Sequence, residues 1–256
     1  MAQPSSHTGT PSSNSSSSAS SSSILPANLP IYALNLLSNP PSRPDSAAIE
    51  TTISNLNLLE HIEGGYFAET DRDPLLVPNP FQHLPALTNP TAIDDSPTRH
   101  ASTTIYYLVT PRSPVGHFHR NRARTVHTLH RGRGVYVLLH MERRDERTGK
   151  VPVETFVVGH DLAKGERLQW IVEGGIFKAS FLLPDAEAKA EGPETGKQGG
   201  SVSEGLLISE TVVPGFEFAD HDFLTAETMR DALTPDQVRE LRWLLKRDEQ
   251  KKLDEV

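Results

Sequence analysis

Two histidines stand in alternation at His117 and His119, and His127 and His130 follow shortly after. Alternating residues of a β-strand point to the same face, so the first pair places two imidazoles side by side. Imidazoles gathered in this way suit a divalent metal such as zinc, iron, nickel or copper. Three histidines with an open fourth position are an established zinc arrangement. The same rings also serve as polar strand residues satisfied by ordinary hydrogen bonds. On the next strand Thr125, His127 and Leu129 share one face, and Val126, Thr128 and His130 the other. His130 precedes the Arg131-Gly132 turn and is expected at the surface. Arg120, Arg122, Arg124, Arg131 and Arg133 make the region locally basic. They fit solvated strand and turn positions, or bidentate recognition of a carboxylate or phosphate.

The elements that must position these residues are short and mostly extended. Strands are expected at 66–70, 102–110, 115–120, 124–130, 135–141, 153–159, 168–172, 177–183 and 206–212, mostly rich in β-branched or aromatic residues and often separated by Gly, Pro, Asp or Asn. Many short strands without intervening helices predict an all-β sandwich or barrel. Two helical segments flank them. Asp45 or Ser46 can cap a helix whose apolar stripe is Ile49, Ile53, Leu56 and Leu59. At the other end, Thr234-Pro235-Asp236-Gln237 has capping-box spacing with proline at the first helical position, ahead of Val238, Leu241, Leu244 and Leu245. Residues 1–24 form a serine-rich tail too polar to bury a core, 25–232 the main domain, and 233–256 a C-terminal helix. Loop insertions are expected near 74–98 and 185–203.

The chain has 256 residues, a formal net charge of -8 and no cysteine. Disulfides, thiolate metal sites and cysteine nucleophiles are thereby excluded. The acidic balance argues against a nucleic-acid partner. No apolar run is long enough to span a bilayer, and the N-terminus lacks a secretory or mitochondrial pattern. A cytoplasmic location, or cytoplasm plus nucleus, is expected.

Several segments resemble one branch of the cupin superfamily, the branch labelled a domain of unknown function and related in fold to the dTDP-sugar epimerases. The carriers are Glu63-Gly64-Gly65-Tyr66-Phe67-Ala68-Glu69-Thr70, Ser102-Thr103-Thr104-Ile105-Tyr106-Tyr107-Leu108, His119-Arg120 and Val212-Val213-Pro214-Gly215-Phe216-Glu217-Phe218. The resemblance covers about 47–223 and implies an all-β double-stranded β-helix, the cupin jelly roll, with flanking N-terminal and C-terminal helices. It departs at two places. Thr125 stands where the branch has a glutamate, and Lys178 stands where a cupin usually has its last histidine ligand.

The resemblance places Thr125 inside the barrel, so His127 is expected inside as well, with Lys178 approaching from the opposite side of the mouth. His117, His119 and His127 are then the expected metal set, which a nearby ammonium would oppose by like-charge repulsion. His119, His127, Lys178 and Tyr106 are the expected acid–base residues, because a tyrosine opposite a histidine is the arrangement of sugar epimerases. Tyr66, Glu69, Arg120 and Thr125 are the expected substrate-binding residues. Gly64, Gly65 and Gly215 belong to turns, and Glu210 and Asp222 are further carboxylates that the pattern does not place. Three functions are compatible: a small-molecule isomerase, epimerase or lyase using histidine acid–base chemistry; a ligand-binding cupin without chemistry; and a metal-dependent oxygenase. The last ranks lowest, since Thr125 removes the expected carboxylate. A small-molecule ligand and a homodimer are the expected partners.

Overall fold

The computed structural model describes residues 23–26, 28–88, 91, 93–185 and 203–255. The serine-rich segment up to residue 22 and the insertion at 186–202 lie outside the described residues. In chain order the helices and strands are α1 (Ile31–Ser38), α2 (Ala47–Asn55), β1 (Leu59–Glu60), β2 (Tyr66–Arg72), β3 (Leu76–Pro78), β4 (Thr98–His100), β5 (Thr103–Val109), β6 (Val115–Asn121), β7 (Arg124–Arg131), β8 (Arg133–Leu139), β9 (Val153–Val158), β10 (Gln169–Val172), β11 (Phe177–Leu183), β12 (Leu206–Val213), β13 (His221–Phe223), α3 (Ala226–Ala232), α4 (Pro235–Leu241) and α5 (Arg247–Asp254).

Two antiparallel sheets face each other. One has the order β1-β2-β5-β12-β7-β10 and the other β13-β6-β11-β8-β9, while β3 and β4 pair separately. This is the expected jelly roll. The interior between the sheets is filled by Leu129, Leu138, Trp170, Leu182 and Ile208 among others. Each outer face is covered by a helical flank. Ile49 of α2 packs with Leu58 and Leu108 on the first sheet. Met229, Leu241, Leu244 and Leu245 cover Phe118, Val137 and Phe181 on the second.

The helix ends follow local chemistry. Ser46 Oγ accepts from Ile49 N at 3.3 Å to cap α2. The expected stripe continues beyond it only as far as Leu56. Asn57 then takes φ 52°, in the left-handed region, which turns Leu59 into β1. Thr234 and Gln237 form the expected capping box of α4. The segment expected as one C-terminal helix is two, α4 and α5, because a tight 3-10 turn over Arg242–Leu244 ends at Leu245 in extended backbone, with ψ 158°, and interrupts the helix between them. Gln250 Nε2 donates to the Leu245 and Trp243 carbonyls at that corner, satisfying groups that the break leaves free.

The candidate functional site

The alternation rule fails on β6, and the failure defines the site. In the pairing with β11, Lys178 stands opposite His119 and Ser180 opposite Gly116, so β6 carries one extra residue across that interval. This is a β-bulge, which re-aims the side chains around it. Gly116 faces the interior, where an added Cβ would lie 2.7 Å from Ser180 Oγ and from the Tyr107 hydroxyl. His119 also faces inward. His117 does not share its face: its ring lies within reach of the Leu244 backbone on the helical side.

His119 meets two partners that the strand pattern did not supply. Its Nε2 is 3.2 Å from Glu63 Oε2, and His221 Nε2 is 2.8 Å from Glu63 Oε1. The His119 and His221 rings are stacked with centroids 5.4 Å apart. His61 adds a flank, with Nδ1 3.4 Å from Glu63 Oε2. Among the described residues, the ligand-type atoms that converge within 4.8 Å of one another are those of Glu63, His119 and His221. The expected set of His117, His119 and His127 is not gathered: the bulge turns His117 away, and His127 is held by Lys178 and Glu210.

Backbone geometry brings Glu63 there. It sits in the β1–β2 turn, followed by Gly64 and Gly65 with φ of 98° and 70°. His117 N donates to Glu63 O at 2.7 Å, the Tyr107 hydroxyl donates to Gly64 O at 2.8 Å, and Gly65 N donates to Ser113 Oγ at 2.7 Å. The turn is therefore pressed against β6, and a Cβ at Gly64 would lie 2.1 Å from the Val115 carbonyl oxygen. Gly64→Ala is expected to lower stability by more than about 2 kcal/mol, because left-handed strain adds to a backbone overlap. Urea unfolding checks this, and a loss below about 0.5 kcal/mol, the range of ordinary surface substitutions, would show that the turn is not fixed as described.

The lone pairs in this cluster are poised for a cation. A carbonyl oxygen only accepts, so His119 Nδ1, 2.8 Å from His117 O, must carry the ring proton. A neutral His119 then aims a bare Nε2 at a carboxylate oxygen, an acceptor facing an acceptor. The opposite tautomer moves the same conflict to His117 O. Burial pushes the His119 pKa down to about 3, an effect that Glu63 only partly offsets, so the ring is neutral at ordinary pH. Burial raises the Glu63 carboxyl, but hydrogen bonds from His221 and His61 help to reverse this, and the group lies well below its usual value. A divalent cation resolves the contact, and a carbonyl on the far nitrogen is the usual outer partner of a ligating histidine. The donor set of two imidazoles and one carboxylate fits such an ion.

The matching family model, described as Cupin superfamily (DUF985), covers residues 50–224. The chain belongs to this cupin family. The cupin is 39% identical over 219 residues to the protein YML079W of Saccharomyces cerevisiae, an alignment covering 85% of this chain and 96% of the yeast protein. A structure of a protein from Leishmania major is similar at 30% identity, with TM-score 0.50, over 70% of this chain and 89% of that one. The structure of protein SO0799 from Shewanella oneidensis shares the fold at 22% identity, with TM-score 0.52, over 80% and 99%.

The remaining sequence-predicted residues scatter. His127, Lys178 and Thr125 are inside the cupin barrel, with exposures of 0, 2 and 1%. Tyr106 and Tyr66 are on the outer face of the first sheet, packed beside α2. Tyr107 takes the inward place that the alternation denies to Tyr106. Glu69 pairs with Arg72 near the surface. Arg120 is paired bidentately with Asp222 at 2.7 and 2.9 Å and stacks over Phe177, so it is a structural cation here. Arg122 pairs with Asp220, which also binds the buried Arg99, and together they fasten the 79–100 region to the barrel. Glu63 and His221 were the functional candidates missed. Their only signals were a carboxylate ahead of a Gly-Gly turn and a histidine between two acidic residues, neither of which specifies a metal ligand. A groove of about 580 Å³, lined in part by Ile62, Leu87, Phe218 and Phe223, reaches His221 from the surface. No helix among the described residues is long and apolar enough to cross a membrane.

Proposed function

We propose that this cupin is a metal-dependent enzyme acting on a small molecule, with a divalent cation held by Glu63, His119 and His221. The observation that carries the reading is the convergence of three buried ligand atoms on one point, with an acceptor facing an acceptor unless a cation lies between them. When bound, the metal supplies a Lewis acid that polarises a substrate oxygen. The protein's own contribution is to fix the ligands and exclude water. The groove beside His221 is the proposed entry, and its apolar rim at Ile62 and Phe218 suits a substrate with a hydrophobic part. His61, beside the Glu63 carboxylate, is placed to move a proton there. Proton transfer next to a polarised oxygen is the chemistry of an isomerase, epimerase or lyase. A carboxylate ligand is present after all, supplied by Glu63 rather than by the position of Thr125.

A ligand-binding cupin without chemistry is the second reading, and one observation favours it. His127 and Lys178, two of the expected acid–base residues, are bonded to one another and to Glu210 rather than free.

Elemental analysis of the purified full-length chain after loading and desalting decides the metal. The wild type and His117→Ala are expected to retain one divalent ion per chain, while Glu63→Gln and His221→Ala lose it. The affinity loss should be at least about 100-fold, since even outer partners of metal ligands are worth 10- to 100-fold. Retention that is unchanged in Glu63→Gln, or no uptake by the wild type, removes the proposal.

A further inference from the structure

Lys178, His127 and Glu210 form a second buried group that shares no residue with the Glu63 cluster. His127 and Glu210 stand opposite one another on the paired strands β7 and β12, and Lys178 reaches them from β11 in the facing sheet. Lys178 Nζ is 2.8 Å from His127 Nε2 and 2.5 Å from Glu210 Oε2. An ammonium has three N–H groups and no lone pair, so both partners must turn lone pairs toward it. His127 therefore carries its proton on Nδ1. Its Nε2 and Glu210 Oε2 are two acceptors only 3.3 Å apart. That spacing is the one metal ligands adopt: two donors about 2.1 Å from one ion at a tetrahedral angle lie about 3.4 Å from each other. The His127 ring is further fixed by stacking on Trp170 at 5.1 Å and by an edge contact with Tyr136 at 5.6 Å.

We infer that the barrel centre is a second cation site, built by His127 and Glu210 for a divalent ion and filled in this chain by the ammonium of Lys178. The inference uses different residues from the proposed metal cluster and does not depend on that cluster holding metal. It gives Lys178 the role of an internal cation, fixed in place and beyond the reach of a chelator. The native chain then takes up no metal at its centre. Removing the ammonium and supplying one more ligand should convert the centre into a true metal site, of two imidazoles and a carboxylate, that accepts divalent cobalt or zinc.

The test uses the full chain carrying Glu63→Gln, which disables the other cluster, with and without Lys178→His. Both are titrated with divalent cobalt, followed by visible absorption and by elemental analysis after desalting. The expected result is one retained cobalt per chain in Glu63→Gln/Lys178→His, with the absorption of a low-coordinate ion, and none in Glu63→Gln alone. Adding His127→Ala to the double variant should abolish uptake. A folded double variant that retains no cobalt overturns the inference, as does uptake by Glu63→Gln alone that His127→Ala removes. A measurement on the wild type needs no variant to fold. The ¹⁵N spectrum of the histidines should show His127 protonated at Nδ1, with Nε2 bare and coupled to Lys178 Nζ, and a proton on Nε2 overturns the inference. Failure of the wild type to hold metal counts against the proposed function and leaves this result unaffected.

Discussion

Replacing Lys178 with methionine is expected to destabilise the fold by about 3–5 kcal/mol, because it leaves the Glu210 charge buried without its partner. Lys178 and Glu210 are 2% and 6% exposed, so water cannot take over the lost contact. Methionine nearly matches the lysine in length, which keeps the packing contribution small. Replacing both, as Lys178→Met/Glu210→Leu, should recover most of the loss, since removing the pair together also removes the cost of burying two charges. Urea unfolding of the wild type, both single variants and the double completes the cycle. A single variant that costs less than about 1 kcal/mol would mean that the pair behaves like a surface ion pair, against its described burial. The same cycle repeated with His127→Gln tells whether the imidazole is a third member, because residues acting as one network give non-additive losses.

Stability should fall as the pH drops below about 6.5, before any ordinary carboxylate titrates. His127 has its pKa lowered by burial first and then by the Lys178 charge, with Glu210 opposing. In the folded chain it stays neutral while the unfolded chain takes up a proton. A depressed folded pKa contributes stability that is present above the unfolded value and is lost as pH falls toward the folded one. His117 is lowered in the same direction, mainly by burial. Each such proton removes about 1.4 kcal/mol per pH unit. Glu210 joins below its ordinary value of 4.5: burial raises its pKa, but the Lys178 charge outweighs that and holds it far lower. The loss should therefore begin near pH 6.5 and steepen near pH 4.5. Urea midpoints measured from pH 8 to pH 4.5 with a chelator present check this, and His127→Gln should flatten the upper part of the curve. A flat profile between pH 7 and pH 5 would show that His127 is not held neutral.

The opposite fates of neighbouring residues show how far local pattern carries. Period-two alternation determined the strands and put Thr125, His127 and Leu129 on one face of β7, because a regular strand has no other way to arrange its side chains, and the cupin resemblance turned that face inward. The caps at Ser46 and Thr234 were likewise local, since a hydroxyl meets a backbone N–H only two or three residues away. The cupin segments, especially Glu-Gly-Gly-Tyr-Phe and Pro-Gly-Phe-Glu-Phe, identified the barrel. Alternation could not tell Tyr106 from Tyr107, because adjacent tyrosines fit a strand in either phase. The choice is made by the sheet: Tyr106 packs beside α2, and Tyr107 reaches Gly64 through the interior.

The site itself was decided by tertiary structure. His117 and His119 were separated by a bulge whose extra residue shows only in the pairing of β6 with β11. Glu63 and His221 are far apart in sequence and meet because the β1–β2 turn and β13 both close on β6. The sequence by itself determined a run of short alternating strands, because a strand repeats every two residues, and its cupin segments implied a jelly roll with His127 and Lys178 in the interior. Only the folded chain decided which histidines share a centre and which carboxylate neutralises them. Ligand geometry depends on contacts between distant segments, and spacing along one strand does not record them.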